Sequence, residues 1–410
     1  MALHGAFVEI GFHVLVVGNL LMYFDALYLA IPLLLLALFT VFIALFVGFC
    51  YTGSFLTTSS VSIPFVAIKL QLKLVKLLSA YAFRGFKPTF PEWTFALELT
   101  IAMTRYIFNE YGQVIVNENA QRMRGPIKAY GEKMLRPSCR EYDTVPEPLI
   151  ANNLEHMWLR DPKKKQQHVV VIHFHGGGYC VSDPLLNVEL GNQIHAKLMQ
   201  IFKMQYSLDV SVDVLLARYC MAPEYLYPTA LTDCFDVYKY VLEHENITPD
   251  HVVFSGDSAG AEMAITNCMR LREESPELQP AVALCYSPVV DFTNVGADED
   301  TPYCLLTDSF VDNCIPMYLR NVTDVDERRM VSPINNSLRD VPPVFLQWGT
   351  LERFYEQGLR FKAKADAEGV NNMEFDFLQN MVHDAVMFPV AISPSTDKAM
   401  VSSKLDRIRN

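Results

Sequence analysis

The sequence predicts an α/β protein, a mostly parallel sheet flanked by helices, joined to an apolar N-terminal segment. Three observations predict it. From about residue 140 onward, short β-rich runs alternate with helical stretches, the order that gives a parallel sheet with helices on both faces. Two runs, VVVIHF at 169–174 and VDVLLA at 212–217, are near-continuously hydrophobic, as strands buried on both faces are. At the other end of the chain, Ala26 to Tyr51 contains no charged residue.

That last stretch is long enough for a bilayer, because about 20 apolar residues rising 1.5 Å each cross the hydrocarbon. A span is therefore expected at about 26–50. Ile10 to Phe24 is also apolar, with His13 as its titratable group. It reads as a second short span turning at Asp25, or as an interfacial piece. The first ten residues hold no Lys or Arg, and the apolar region outruns the 7–15 residues of a signal-peptide core. Composition agrees with a membrane protein: 51% of the 410 residues are hydrophobic and the mean hydropathy is +0.15. The formal net charge of −12 offers no electrostatic footprint for nucleic acid.

In Ile63 to Phe83, Lys69, Lys73 and Lys76 fall on one helical face among leucines. A basic amphipathic helix after a span suits the headgroup level. With Arg84 and Lys87 these lysines place positive charge after the span and none before it, which favours a cytosolic domain by the positive-inside rule. Phe86 to Tyr111 is rich in aromatics and suits either an apolar cap or ordinary core. Pro137 to Pro148 (PSCREYDTVPEP) reads as the linker into the globular domain. The expected organisation is an anchor over 1–60, an amphipathic helix and cap over 61–140, and an α/β domain over 141–410. Strands are expected at His168–Phe174, Val210–Leu216, His251–Ser255, Ala281–Ser287, Val344–Trp348 and Glu374–Leu378, with helices at Asn187–Lys203, Ala230–Glu243 and Ala259–Glu274.

Three signals carry chemistry. Gly256-Asp257-Ser258-Ala259-Gly260 follows the strand VVFS and opens a helix. A serine on such a tight turn needs small neighbours and stands clear of the sheet, with a helix N-terminus behind it. His175-Gly176-Gly177-Gly178-Tyr179 follows the strand VVVIHF. Consecutive glycines bring backbone N–H donors close to a substrate oxygen, as attack on an ester requires. The spacing lacks the pattern of a phosphate-cradling loop. A serine nucleophile also needs a base, and His383 is the sole histidine after Ser258 in the chain. The third partner, an acid, is expected after a strand between the two. Glu352, behind VFLQW, is favoured, with Glu356 and Asp291 as alternatives; its task is to orient the imidazole. The nine cysteines are odd in number and form no C-x-x-C pair, so they read as scattered buried thiols, with Cys304–Cys314 open as a disulfide in an oxidising lumen.

Together these residues resemble the hormone-sensitive-lipase branch of the α/β-hydrolases, which includes arylacetamide deacetylases and steryl acetyl hydrolases. HGGGY at 175–179, ARYCMAPEYLYPTALTD at 217–233, GDSAG at 256–260 and QWGTLERFYEQG at 347–358 carry the likeness, over roughly 150–390. The resemblance implies the α/β-hydrolase fold with a helical cap. It implies Ser258 as nucleophile, His383 as base, and the amides of Gly177, Gly178 and Ala259 as the oxyanion hole, with Gly176 shaping the loop. Glu352 stands where that family most often has Asp. The implied activity is hydrolysis of apolar or lipid-like carboxylic esters, or of acylamides by the same chemistry, with no metal or organic cofactor. The expected partners are a small apolar ester and membrane lipid, and the anchored relatives imply the endoplasmic reticulum. A binding protein on the same fold and a serine peptidase are the rival readings. Sequons at Asn246, Asn321 and Asn335 leave the side of the membrane open.

Overall fold

The computed structural model describes residues 34, 39–163, 165–293 and 301–396. Ile10–Phe24 and the start of the expected span lie outside them. Among the described residues one helix, α1 (Phe39–Leu56), is long and apolar enough to cross a membrane. It ends beyond the expected limit of about 50 because FVGFCYTGSFL stays uncharged through Leu56. Helix α2 (Ile63–Phe83) buries Val66, Ala67 and Leu70 but leaves Phe65, Ile68, Leu72, Val75 and Leu78 exposed.

The larger unit carries an eight-stranded sheet. Its strands are β1 (Val145–Ala151), β2 (Leu154–Arg160), β3 (Gln167–Phe174), β4 (Val210–Ala217), β5 (Val252–Asp257), β6 (Val282–Tyr286), β7 (Val344–Gly349) and β8 (Met373–Leu378). The spatial order is β1-β2-β4-β3-β5-β6-β7-β8. β1 and β2 pair antiparallel, as do β2 and β4, and all pairs from β4 to β8 are parallel. Val169, Val171, Val212, Val214 and Val253 are buried on this sheet. Such branched side chains each contribute about 1.5–3 kcal/mol when taken from water.

Helices α5 (Val188–Tyr206), α6 (Thr229–His244), α7 (Ala259–Glu274) and α10 (Tyr355–Glu368) make the crossovers. The expected strands and helices reappear within a few residues of their limits. The linker reading of Pro137–Pro148 is corrected. Pro137 lies inside α4 (Ala120–Tyr142), and Pro146 and Pro148 lie in β1. Proline tolerates a strand at the sheet edge, where the missing N–H costs no ladder bond, and β1 is an edge.

Three further helices are α3 (Phe95–Asn117), α4 and α8 (Asp308–Tyr318); α3 packs on α8, and α4 packs on α5. Helix α8 and a short helix, α9 (Val325–Met330), lie in the insertion between β6 and β7, whereas α3 and α4 precede β1. Phe108 of α3 stacks on Phe310 of α8 with ring centroids 4.1 Å apart. The aromatic segment Phe86–Tyr111 thus supplies both core and cavity wall: Trp93 and Leu97 are buried, while Thr104 and Phe108 face a cavity.

Candidate active site

Ser258 sits between β5 and α7 with φ 51° and ψ −116°, a strained pair of angles for a residue bearing a Cβ. The turn is possible because the helix behind it approaches very closely. A Cβ at Gly260 would lie 1.9 Å from the Phe174 carbonyl oxygen. The Ser258 amide donates to the Tyr286 carbonyl at 2.8 Å, which ties the turn to β6.

His383 follows β8, and its Nε2 lies 2.9 Å from Ser258 Oγ. On the other side of the ring, Nδ1 is 3.5 Å from Glu352 Oε1, at the outer limit of a hydrogen bond. Glu352 is itself held: its Oε2 accepts from the Ser287 hydroxyl at 2.7 Å and from the Gly349 amide at 2.9 Å. When the ring is neutral, a carboxylate facing Nδ1 assigns its one proton to that nitrogen, and Nε2 can then accept from the serine. All three side chains are buried. The structure thus brings together the three residues expected from sequence. The alternatives are engaged elsewhere: Asp291 accepts from the Thr293 amide at 2.9 Å, and Glu356 lies exposed on α10.

The glycine loop lies beside Ser258. Gly177 has φ 108°, and a Cβ there would meet the Val181 carbonyl oxygen at 2.3 Å. The amides of Gly177, Gly178 and Ala259 donate to no acceptor among the described residues, and all three residues line the same cavity as Ser258. Gly176 differs. Its amide donates to Asp257 Oδ2 at 3.0 Å, so it is consumed in holding the loop and is not available to an oxyanion.

Asp257, the residue before the serine, was not singled out by the sequence. Its Oδ1 accepts from Asn187 Nδ2 at 2.6 Å and lies 3.1 Å from His173 Nε2. It thereby bolts the serine turn to the glycine loop. The 217–233 segment buttresses the same loop: the Tyr219 hydroxyl donates to the His175 carbonyl at 2.6 Å, and the two rings stack at 4.2 Å. Arg124 of α4 donates to the Cys180 carbonyl at 2.9 Å and pairs with Glu224 at 3.0 Å.

The cavity over Ser258 has a volume of about 650 Å³. Its walls come from α3 (Phe108, Ile115), α4 (Met123, Ile127) and α8 (Phe310, Ile315), with Phe388 and Val390 closing one side. The contributions of α8 and of the segment after His383 carry no motif and were not anticipated. Asp384 was also missed. Its Oδ2 lies 3.1 Å from His383 Nε2, and its visible signal was only its place next to the unique histidine. Burial pulls the His383 pKa down, but the charge and hydrogen bond of Asp384, then those of Glu352, outweigh it and hold the imidazole well above its ordinary value. Burial pushes the Asp384 carboxyl up to about 7 against the opposing pull of His383. All nine cysteines are free; Cys304 and Cys314 are buried and not joined.

Residues 171–387 match the family model described as alpha/beta hydrolase fold. An esterase of Acinetobacter venetianus is 29% identical over 244 residues, which covers 58% of this chain and 75% of that protein. The arylacetamide deacetylase of Oryctolagus cuniculus is 28% identical over 140 residues, 33% of each chain. Among solved structures, the esterase LipW of Mycobacterium marinum superposes with a TM-score of 0.59, covering 72% of this chain and 92% of that one at 16% identity, a likeness of fold.

Proposed function

The chain belongs to the alpha/beta hydrolase fold family, and on that premise we propose that it is a serine-dependent carboxylic ester hydrolase of the esterase and lipase type, acting on apolar, lipid-like esters. One observation carries the reading: a single imidazole lies 2.9 Å from the serine Oγ on one nitrogen and faces a buried carboxyl group on the other.

In the proposed reaction, His383 takes the Ser258 proton as Oγ attacks the acyl carbon. The free amides of Gly177, Gly178 and Ala259 hold the oxyanion that forms. The alcohol leaves with the proton from His383, and water repeats the sequence to release the acid. Glu352 orients the ring and stabilises the imidazolium. The apolar walls of the cavity support an apolar acyl or alcohol group, since burying each methylene there is worth about 0.8 kcal/mol.

The anchor belongs to the same proposal. Helix α1 crosses the bilayer, and the exposed apolar residues of α2 beside its lysines rest at the headgroups. Residues 1–60 then form the anchor, 61–140 the amphipathic helix and cap, and 141–410 the catalytic domain, at the endoplasmic reticulum. Resistance to alkaline carbonate extraction is expected; release by carbonate would reject the anchor.

The decisive experiment is hydrolysis of p-nitrophenyl esters from acetyl to palmitoyl by the full chain in detergent, beside Ser258→Ala. Activity lost in the variant, with fluorophosphonate labelling lost as well, is the expected result. Turnover retained by Ser258→Ala would reject the mechanism. A folded chain inert to every ester and to the probe would favour a binding protein.

A further inference from the structure

Asp384 places a second carboxyl group on the nitrogen that faces the serine. His383 Nε2 is 2.9 Å from Ser258 Oγ and 3.1 Å from Asp384 Oδ2. The Asp384 backbone is fixed in the left-handed region at φ 53°, and its amide donates to Ser287 Oγ at 3.0 Å. Ser287 in turn donates to Glu352. The carboxyl is therefore anchored through the network that holds the acid. Its Oδ1 is buried without a hydrogen-bond partner, and the residue lines the cavity above Ser258.

Proton accounting makes this contact consequential. With a proton on Nδ1 toward Glu352, a neutral imidazole presents a lone pair at Nε2. A carboxylate oxygen 3.1 Å from that lone pair would be acceptor against acceptor. A proton between them removes the conflict, whether it is counted on the ring or on the acid. The same proton denies Nε2 to the serine hydroxyl, which must donate there to be activated.

We propose that Asp384 is a further catalytic residue: it shares His383 Nε2 with Ser258 and holds the imidazole in a protonated resting pair that must lose its proton before Ser258 can attack. The proton passes to a water or buffer base entering by the cavity, no bond to carbon changes, and the neutral ring then accepts from Ser258. Other titratable groups facing the pair are Glu352 from the loop after β7, Asp257 at the end of β5 and Cys304 before α8. Of these, the two carboxyl groups favour keeping the proton. The upward shifts of both His383 and Asp384 agree with that retention. This inference rests on Ser258 and His383 being nucleophile and base.

The test is the pH profile of kcat/KM for p-nitrophenyl butyrate, measured on the full chain in detergent as wild type, Asp384→Gly, Asp384→Asn and Ser258→Ala. Glycine and asparagine both accept a positive φ. The acid limb of the wild type is expected above the ordinary imidazole value of about 6.5. In Asp384→Gly and Asp384→Asn it is expected about one unit lower, raising activity at pH 6 relative to the plateau about tenfold. A wild-type limb at or below the ordinary value overturns the proposal without any variant. A limb that stays put in a folded Asp384→Gly overturns it too. If Ser258→Ala still turns over, the underlying site reading has failed; if it is dead and the limb is unmoved, the role of Asp384 alone has failed.

Discussion

Around Ser258 the chain is fixed by backbone geometry and hydrogen bonds, whereas the opposite wall of the cavity is built by apolar side chains packed on one another. The serine turn, the glycine loop and the His383 loop hang from strand ends, and Asp257, Tyr219 and Ser287 cross-link them at 2.6–3.0 Å. Across from them, Phe108, Met123, Ile127 and Phe310 project from helices α3, α4 and α8. Hydrogen-bonded turns tolerate little displacement, and oxyanion donors lose their value when moved by a fraction of an ångström. An apolar wall tolerates exchange of side chains of similar volume. The floor should therefore govern the rate of the chemistry, and the roof the choice of substrate.

The largest effect should come from the floor. His383→Ala removes the proposed base from a group of residues proposed to act as a unit, and kcat should fall about 10⁴-fold or more with the fold intact. Loss of less than about 100-fold, measured with p-nitrophenyl butyrate, would mean that another base serves Ser258. Next is Gly177→Ala. The added methyl would meet the Val181 carbonyl at 2.3 Å in a backbone at φ 108°, so the loop must move and its amides with it. A drop in kcat of about 10²- to 10³-fold with little change in KM is expected. A rise in KM alone would place the loop in binding rather than in charge stabilisation.

The same division explains what the sequence revealed. The floor was legible because its chemistry demands rare residues at fixed spacing. GDSAG, HGGG and a solitary histidine after the serine identify the positions without any knowledge of packing, and alternating strands fix the order in which they arrive. The roof was not legible. Met123, Ile127, Phe310 and Phe388 are ordinary apolar residues, and nothing local says that α8, some 200 residues after α3 in the chain, returns to pack on it. Asp384 falls between the two. Its type and position were visible, but its direction depends on a left-handed backbone angle that Asp adopts only some of the time. The prolines at 137, 146 and 148 misled for a related reason: a loop signature is overridden where an edge strand or a packed helix absorbs the missing N–H.

A smaller effect is expected at the roof. Phe108→Ala removes a ring stacked on Phe310 at 4.1 Å and enlarges the cavity. For short acyl esters kcat/KM should fall about tenfold, mostly through KM, since a few lost apolar contacts are worth about 1–3 kcal/mol. Long acyl esters should lose less, or gain. Equal losses in kcat across all chain lengths would break the comparison, because the roof would then be shaping the chemical step.

The smallest effect concerns the residue that joins the two regions. Glu262 lies on α7, one turn behind Ser258, buried, and accepts from the Tyr179 hydroxyl at 2.9 Å. Tyr179 follows the glycine loop and stacks on Tyr318 of α8 at 4.0 Å. Burial raises the Glu262 carboxyl to about 7, partly offset by the hydrogen bonds from Thr266 and Tyr179. The folded chain therefore retains a proton that the unfolded chain releases near the ordinary carboxylate value, and stability should fall as pH rises from about 4.5 to about 7. Glu262→Gln is neutral throughout and keeps an acceptor for Tyr179, so its stability should not fall across that window for this cause. The urea midpoint of the wild type at pH 8 should lie below its value at pH 5 by more than the corresponding difference in the variant. An equal difference in both would mean that the carboxyl ionises without cost in the fold, and that Tyr179 is held to the floor by a charge rather than by a neutral acid.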